Sequence, residues 1–103
     1  MVKALENFKK SYDLNPNNYV VTYCMAKVYL QLYDSESAYK YAFESCKCNR
    51  GRWVSFALLA CVYMVQRKIH KALIIIDELL KKYHDETILY YIRAYIEVNK
   101  ILL

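Results

Sequence analysis

The chain can be laid over itself at an offset of thirty-four residues with the same residue types falling into register. Ala4, Ala38 and Ala72 form one series, Ala26, Ala60 and Ala94 a second, and Tyr29 and Tyr63 a third. Three independent series in one frame mark an internal repeat. A period between about twenty and fifty residues belongs to solenoids, whose units cannot bury their apolar faces alone and stack so as to share them. Function is then expected on a surface shared by several units and not in a catalytic pocket.

With 103 residues, the chain sits near the lower end of what buries an adequate core, a limit that stacking relieves. Hydrophobic residues make up 57%, with one Gly and one Pro, which excludes a disordered, collagen-like or loop-rich protein and favours long regular elements. The expected class is all-α. No stretch approaches the roughly twenty uninterrupted apolar residues of a membrane span, and the opening Met-Val-Lys-Ala-Leu-Glu lacks the apolar core of a signal peptide. The expectation is a cytoplasmic or nuclear protein. Reduced cysteines agree with that.

The four cysteines do not make a metal site. Cys46 and Cys48 are two apart on a predicted helix and so point to different faces, while Cys24 and Cys61 sit inside apolar runs as small hydrophobes. No Cys/His ligand spacing occurs, so neither metal nor cofactor is expected. The net charge of +5 is dispersed over Lys9-Lys10, Lys40, Arg67-Lys68-Lys71 and Lys81-Lys82, as solvated helix faces are. Its one concentration, Lys47, Arg50 and Arg52 around Gly51, is too small to argue for nucleic acid.

Periodicity and turn chemistry give six helices. Val2 to Leu14 carries Ala4, Leu5, Phe8 and Tyr12 on one face, with Glu6, Lys9, Lys10 and Asp13 opposite. Asn15-Pro16-Asn17-Asn18 breaks it and turns the next helix back antiparallel. Tyr19 to Leu32 follows, and Asp34-Ser35-Glu36-Ser37 supplies cap residues for a helix from Ser35 to Lys47. Small residues at Ala26, Ala38 and Ala42 let two helix axes approach closely. Gly51 fits the left-handed position that ends a helix. Trp53 to Val65 and Lys68 to Tyr83 repeat the hairpin, and a sixth helix runs from Thr87 to about Leu102.

These residues resemble the tetratricopeptide repeat, a thirty-four-residue pair of antiparallel helices. The central unit gives Phe56, Leu59, Ala60 and Tyr63 in its first helix and Ala72, Ile76 and Leu79 in its second, with His84 where the family has Pro. The unit before it gives Thr22, Met25, Ala26 and Tyr29, then Ala38, Ala42 and Ser45, with Arg50 at the Pro place. Ala4, Phe8, Ser11 and Pro16 match the second half of a repeat. The resemblance implies an α-α superhelix of about six antiparallel helices in one domain over 1–103, divided as a half-repeat 1–18, repeats 19–52 and 53–86, and a first helix 87–103. In that last helix Arg93 and Glu97 replace Leu and Tyr. Neither end carries an evident polar cap, so a segment of a longer array, self-association, or a neighbouring subunit over the ends is expected. Ile96, Val98, Ile101, Leu102 and Leu103 are expected to form an apolar contact patch there.

In this family the concave groove is lined by the first helix of each repeat. Carried over, that implies Val20, Tyr23, Lys27 and Leu30, then Val54, Ala57, Cys61 and Met64, then Ile88, Tyr91, Tyr95 and Val98. Such a channel suits a protein segment, extended or helical, with apolar anchors. Chaperone-binding members hold a C-terminal carboxylate with Lys, Asn and Arg side chains; the corresponding places hold Tyr23, Lys27, Leu58, Ile88 and Ile92, which disfavours an acidic-tail adaptor.

The leading expectation is a non-enzymatic protein-interaction scaffold, a subunit or segment of a larger assembly such as an anaphase-promoting, trafficking or transcription-elongation complex. The alternative is an RNA-binding module like the related pentatricopeptide repeat, which Val20-Val21-Thr22-Tyr23 echoes. Its base-reading polar residues are replaced here by Cys24 and Leu58, so nucleic acid is disfavoured. His70 and His84 have no Cys, Asp or Ser partner at a spacing that suggests a nucleophile or relay, and a single Gly leaves no phosphate loop.

Overall fold

The computed structural model describes residues 2–48 and 53–102. The readings placed on Asn49, Arg50, Gly51 and Arg52, and on the side chains of Ile101, Leu102 and Leu103, lie outside the described residues. Six helices follow one another: α1 (Val2–Leu14), α2 (Tyr19–Gln31), α3 (Ser35–Cys48), α4 (Trp53–Val65), α5 (Ile69–Lys82) and α6 (Thr87–Leu102). Each lies within a residue or so of the stretch its periodicity predicts, and the described residues include no strand.

The turns inside the hairpins α2–α3 and α4–α5 share one backbone. Asp34 N–H donates to Tyr29 O at 2.9 Å and Tyr33 N–H to Leu30 O at 3.1 Å. Thirty-four residues on, Lys68 N–H donates to Tyr63 O at 2.8 Å and Arg67 N–H to Met64 O at 2.9 Å. This pairing closes a helix by turning one residue left-handed, a place that normally takes Gly because it lacks a Cβ. Here Tyr33 and Arg67 occupy it, with φ of 61° and 65°. Helix starts are less regular. Asp34 accepts from Ser37 N–H at 3.1 Å, which holds its carboxyl below the usual range, whereas Lys68, one offset later, makes no side-chain cap. Asn18 caps α2 by accepting from Val20 N–H at 2.9 Å.

Each hairpin buries its inner face against the helix that follows. One core cluster joins Ala26, Ala38, Ala42 and Cys46 of α2–α3 to Leu58, Leu59 and Val62 of α4. The other joins Ala57, Ala60, Ala72 and Ile76 of α4–α5 to Leu89 and Ile96 of α6. Ala26, Ala38, Ala60 and Ala72 are all 0% exposed, so the backbones meet where no larger side chain fits. The outermost members of the two series differ: Ala4 and Ala94 are exposed. Helix α1 packs mainly on α2, with Tyr12 near its end reaching Tyr41 and Glu44 of α3, and α6 packs on α5 and α4, so neither has the hairpin partner that buries its alanine elsewhere. Stacking of this kind leaves an elongated slab of 39 × 29 × 18 Å.

Polar contacts tie the units. Ser45 Oγ donates to Tyr19 O at 3.2 Å and lies 2.8 Å from Ser55 Oγ, joining α3 to α2 and α4 in the buried interior. Since a hydroxyl has one proton, Ser55 is then the donor to Ser45. Tyr12 O–H donates to Glu44 at 2.9 Å, a bond to its neutral form that, with burial, pushes the phenol up to about 12. The Tyr12 ring stands edge-on to Tyr41, which stacks on Tyr29, each pair at 5.6 Å. In α6, Arg93 reaches Asp77 of α5 at 2.7 Å and Glu97 at 2.8 Å, so the two residues that depart from the repeat pattern form an ionic cluster that ties α6 to α5. One expectation is corrected. Ile96 is 0% exposed and belongs to the core, because the seven-residue spacing from Leu89 turns both towards α4–α5. Of the expected patch, Val98 is exposed.

Replacing Arg67 by Gly should stabilise the chain by about 1 kcal/mol, since a Cβ in the left-handed region costs about 1–2 kcal/mol and Gly loses part of that gain through unfolded-state entropy. Thermal unfolding followed by circular dichroism should show a higher midpoint for Arg67→Gly and none of that gain for Arg67→Ala, which keeps the Cβ.

Candidate functional site

Helices α2, α4 and α6 lie side by side, because α4 packs on the hairpin α2–α3 and α6 on the hairpin α4–α5. They form one face, and the residues that the repeat register selects fall on it unequally. Val20 and Lys27 are exposed and Tyr23 and Leu30 half-buried, with Leu30 and Tyr23 packed against the first core cluster. Val54, Cys61 and Met64 are half-buried, while Ala57, at 4% exposure, is a member of the second cluster. Ile88, Tyr91, Tyr95 and Val98 stand furthest out, Tyr91 at 69%.

Four of these twelve come together in one cavity of about 330 Å³ between α4 and α6, lined by Cys61, Met64, Tyr91, Ile92 and Tyr95. Ile92 is not among the twelve groove positions carried over from the family, but it is one of the five clamp places. It lies three residues before Tyr95 and so on a neighbouring part of the helix surface, and the clamp place was the signal in the sequence that pointed to it. Val20, Lys27, Leu30, Val54, Ala57, Ile88 and Val98 do not line this cavity. Tyr23 approaches from α2: its phenol is pushed up by burial first, then by the thiols of Cys61 and Cys24. Lys27 Nζ lies 5.6 Å from the Tyr23 ring centroid and is the one cation among the twelve.

The face is largely apolar and aromatic. Burial pushes the Cys61 thiol up, away from the thiolate a nucleophile needs. The histidines lie elsewhere: His70 is exposed, and His84 Nε2 is 3.5 Å from Asp85 with both side chains largely in solvent. Among the described residues no group of three or more His, Cys, Asp or Glu side chains could hold a metal ion, and no helix is long and apolar enough to cross a membrane. What the cavity offers is a floor of sulfur and aliphatic carbon with two tyrosine rings at its rim. It can take an apolar side chain from another molecule, with phenol hydroxyls available to backbone groups beside it.

A second concavity of about 310 Å³ is built on α4 and α5 from Trp53, Phe56, Ile74, Ile75, Glu78, Leu79, Lys82 and Tyr83 and shares no residue with the first. One offset before Ile75 stands Tyr41, whose ring is packed between Tyr29 and Tyr12.

Among solved structures, the chain is similar to the first TPR of Spaghetti (RPAP3) bound to HSP90 peptide SRMEEVD, with a TM-score of 0.81, 17% sequence identity, and coverage of 91% of this chain and 75% of that one. At that identity the likeness concerns the fold, and the six helices are a tetratricopeptide-like helical solenoid. No family model matches the chain, and no curated protein sequence matches it.

The thiols offer a check on this geometry. A brief pulse of iodoacetamide at neutral pH, read by peptide mass spectrometry, should modify exposed Cys48 first. Buried Cys46, whose thiol burial pushes up to about 12, should react last, with Cys61 slower than Cys48.

Proposed function

We propose that this chain is a protein-interaction scaffold, a subunit or segment of a larger assembly, that holds a segment of a partner against the face of α2, α4 and α6. The repeat reading, with units 19–52 and 53–86 between the half-repeats 1–18 and 87–103, belongs to the same proposal. The observation that carries it is the cavity of Cys61, Met64, Tyr91, Ile92 and Tyr95 with exposed Ile88 and Val98 beside it. Tyrosines kept in water on a rigid helical frame contribute large contact area at low rotamer cost when a partner covers them.

A protein of the same fold takes up the HSP90 peptide SRMEEVD. That supports a peptide-like ligand, but its chemistry differs from what this face can hold. The peptide carries two Glu and one Asp, and an acidic segment needs charge-assisted donors. Of the five clamp places, only Lys27 is cationic, Leu58 is buried in the first core cluster, and Ile88 and Ile92 are apolar. The partner is therefore a segment, extended or helical, with aromatic or aliphatic anchors. RNA is disfavoured by the same residues, since Cys24 is half-buried and Leu58 buried where a base-reading module needs polar side chains.

Selection of a displayed peptide library on the chain tests this. Selected peptides should carry apolar anchors. The pair Tyr91→Ala and Tyr95→Ala should weaken them by at least about tenfold, as loss of interface tyrosines does, with the helical circular dichroism unchanged. The peptide SRMEEVD should not bind at micromolar concentration. Undiminished capture by the double variant, or micromolar binding of SRMEEVD, would contradict the proposal.

A further inference from the structure

We propose that α6 of one copy of the chain pairs with α1 of a second copy, completing across two molecules the hairpin that α2–α3 and α4–α5 form within one. In both hairpins a helix of the Ala26/Ala60 series meets a helix of the Ala38/Ala72 series, and all four alanines are 0% exposed. Helix α6 carries the next member of the first series, Ala94, and α1 carries the member of the second that precedes Ala38, Ala4; both are exposed. Each of these helices thus presents the face that the other kind covers elsewhere in the molecule, and the fold itself supplies a matching occupant for each. Tyr90, 52% exposed, widens the α6 face, and Phe8 is only half-buried in the place where Ile76 of α5 is fully buried.

Charge points the same way. Within α4–α5, Lys71 Nζ lies 5.7 Å from the centroid of the Tyr63 ring. The residues at the same places in the pairing between copies are Lys3 of α1 and Glu97 of α6. There the lysine meets a carboxylate, so the intramolecular cation–π contact becomes an ion pair that joins the Arg93–Glu97 pair, and wrong registers leave Lys3 without it. The contact joins two different surfaces. It is heterologous and does not close on itself, so it adds copies in a row as the hairpins inside the chain already do. The faces involved are not the one proposed to hold a partner segment, so Tyr23→Ala should leave self-assembly intact while weakening selected peptides.

Sedimentation equilibrium of the wild-type chain should give a mass that climbs past the dimer as concentration rises. Ala4→Arg and Ala94→Arg each change an exposed helix position and should each remain monomeric with unaltered helical circular dichroism. Mixed in equal amounts they should form a dimer and nothing larger, since one keeps its α6 face and the other its α1 face. Lys3→Glu should weaken assembly and Glu97→Lys in the other component of a mixture should restore it. The proposal is overturned by a wild-type chain that stays monomeric up to about 1 mM, by either arginine variant that still self-associates as wild type does, or by a mixture that stays monomeric.

Discussion

The fold depends on how near the helix backbones come at Ala26, Ala38, Ala60 and Ala72, four positions with no exposed surface. At each of them a side chain of one carbon lets a neighbouring helix lie flat, and the ridges of Met25, Leu59, Val62 and Ile76 then fill the grooves beside them. The same approach recurs thirty-four residues on, at Ala26 and Ala60 and at Ala38 and Ala72. The next helix in the chain therefore always meets an equivalent surface. That regularity sets α2, α4 and α6 side by side, and without it the surface proposed to hold a partner would not exist as a continuous face.

Small residues set the distance and polar contacts set the registration. The Ser45–Ser55 bond fits only because both side chains are short, and it locks α3 against α4 at one height while Ser45 also satisfies Tyr19 O. A buried hydroxyl pair costs more to leave unmade than it gains when made, so it penalises slippage more than it adds to stability. At the far end the same task passes to Arg93, Asp77 and Glu97, whose partly exposed ion pairs are worth little singly and serve to hold α6 over α5.

Helix extents and the alanine seams were legible in the sequence because both follow from a period that three residue series report independently. The hairpin turns were not. Left-handed Tyr33 and Arg67 carry no glycine signal, and their equivalence is visible only in the repeated hydrogen bonds to Tyr29 and Tyr63. Ile96 was misjudged for a related reason: in a helix apolar on several sides, sequence does not say which stripe the core takes, and Leu89 settles it only once α5 is in place. On the candidate site, the register brought out Tyr91, Tyr95, Cys61 and Met64, which share a cavity, but it also brought out Ala57, which the core claims, and it marked Ile92 as a clamp place and not as a groove position. Whether a groove position faces a ligand or a neighbouring helix depends on the crossing geometry, which sequence does not state.

The most direct test of this account compares one substitution at two equivalent places. Ala60 and Ala94 hold the same position in the repeat frame, but only Ala60 is pressed against a hairpin partner. Urea unfolding of dilute protein should show Ala60→Leu losing about 1–3 kcal/mol or more from overpacking, while Ala94→Leu stays within about 0.5 kcal/mol of wild type. Equal effects at the two places, or a neutral Ala60→Leu, would mean that close approach at the alanines is not what holds these hairpins together.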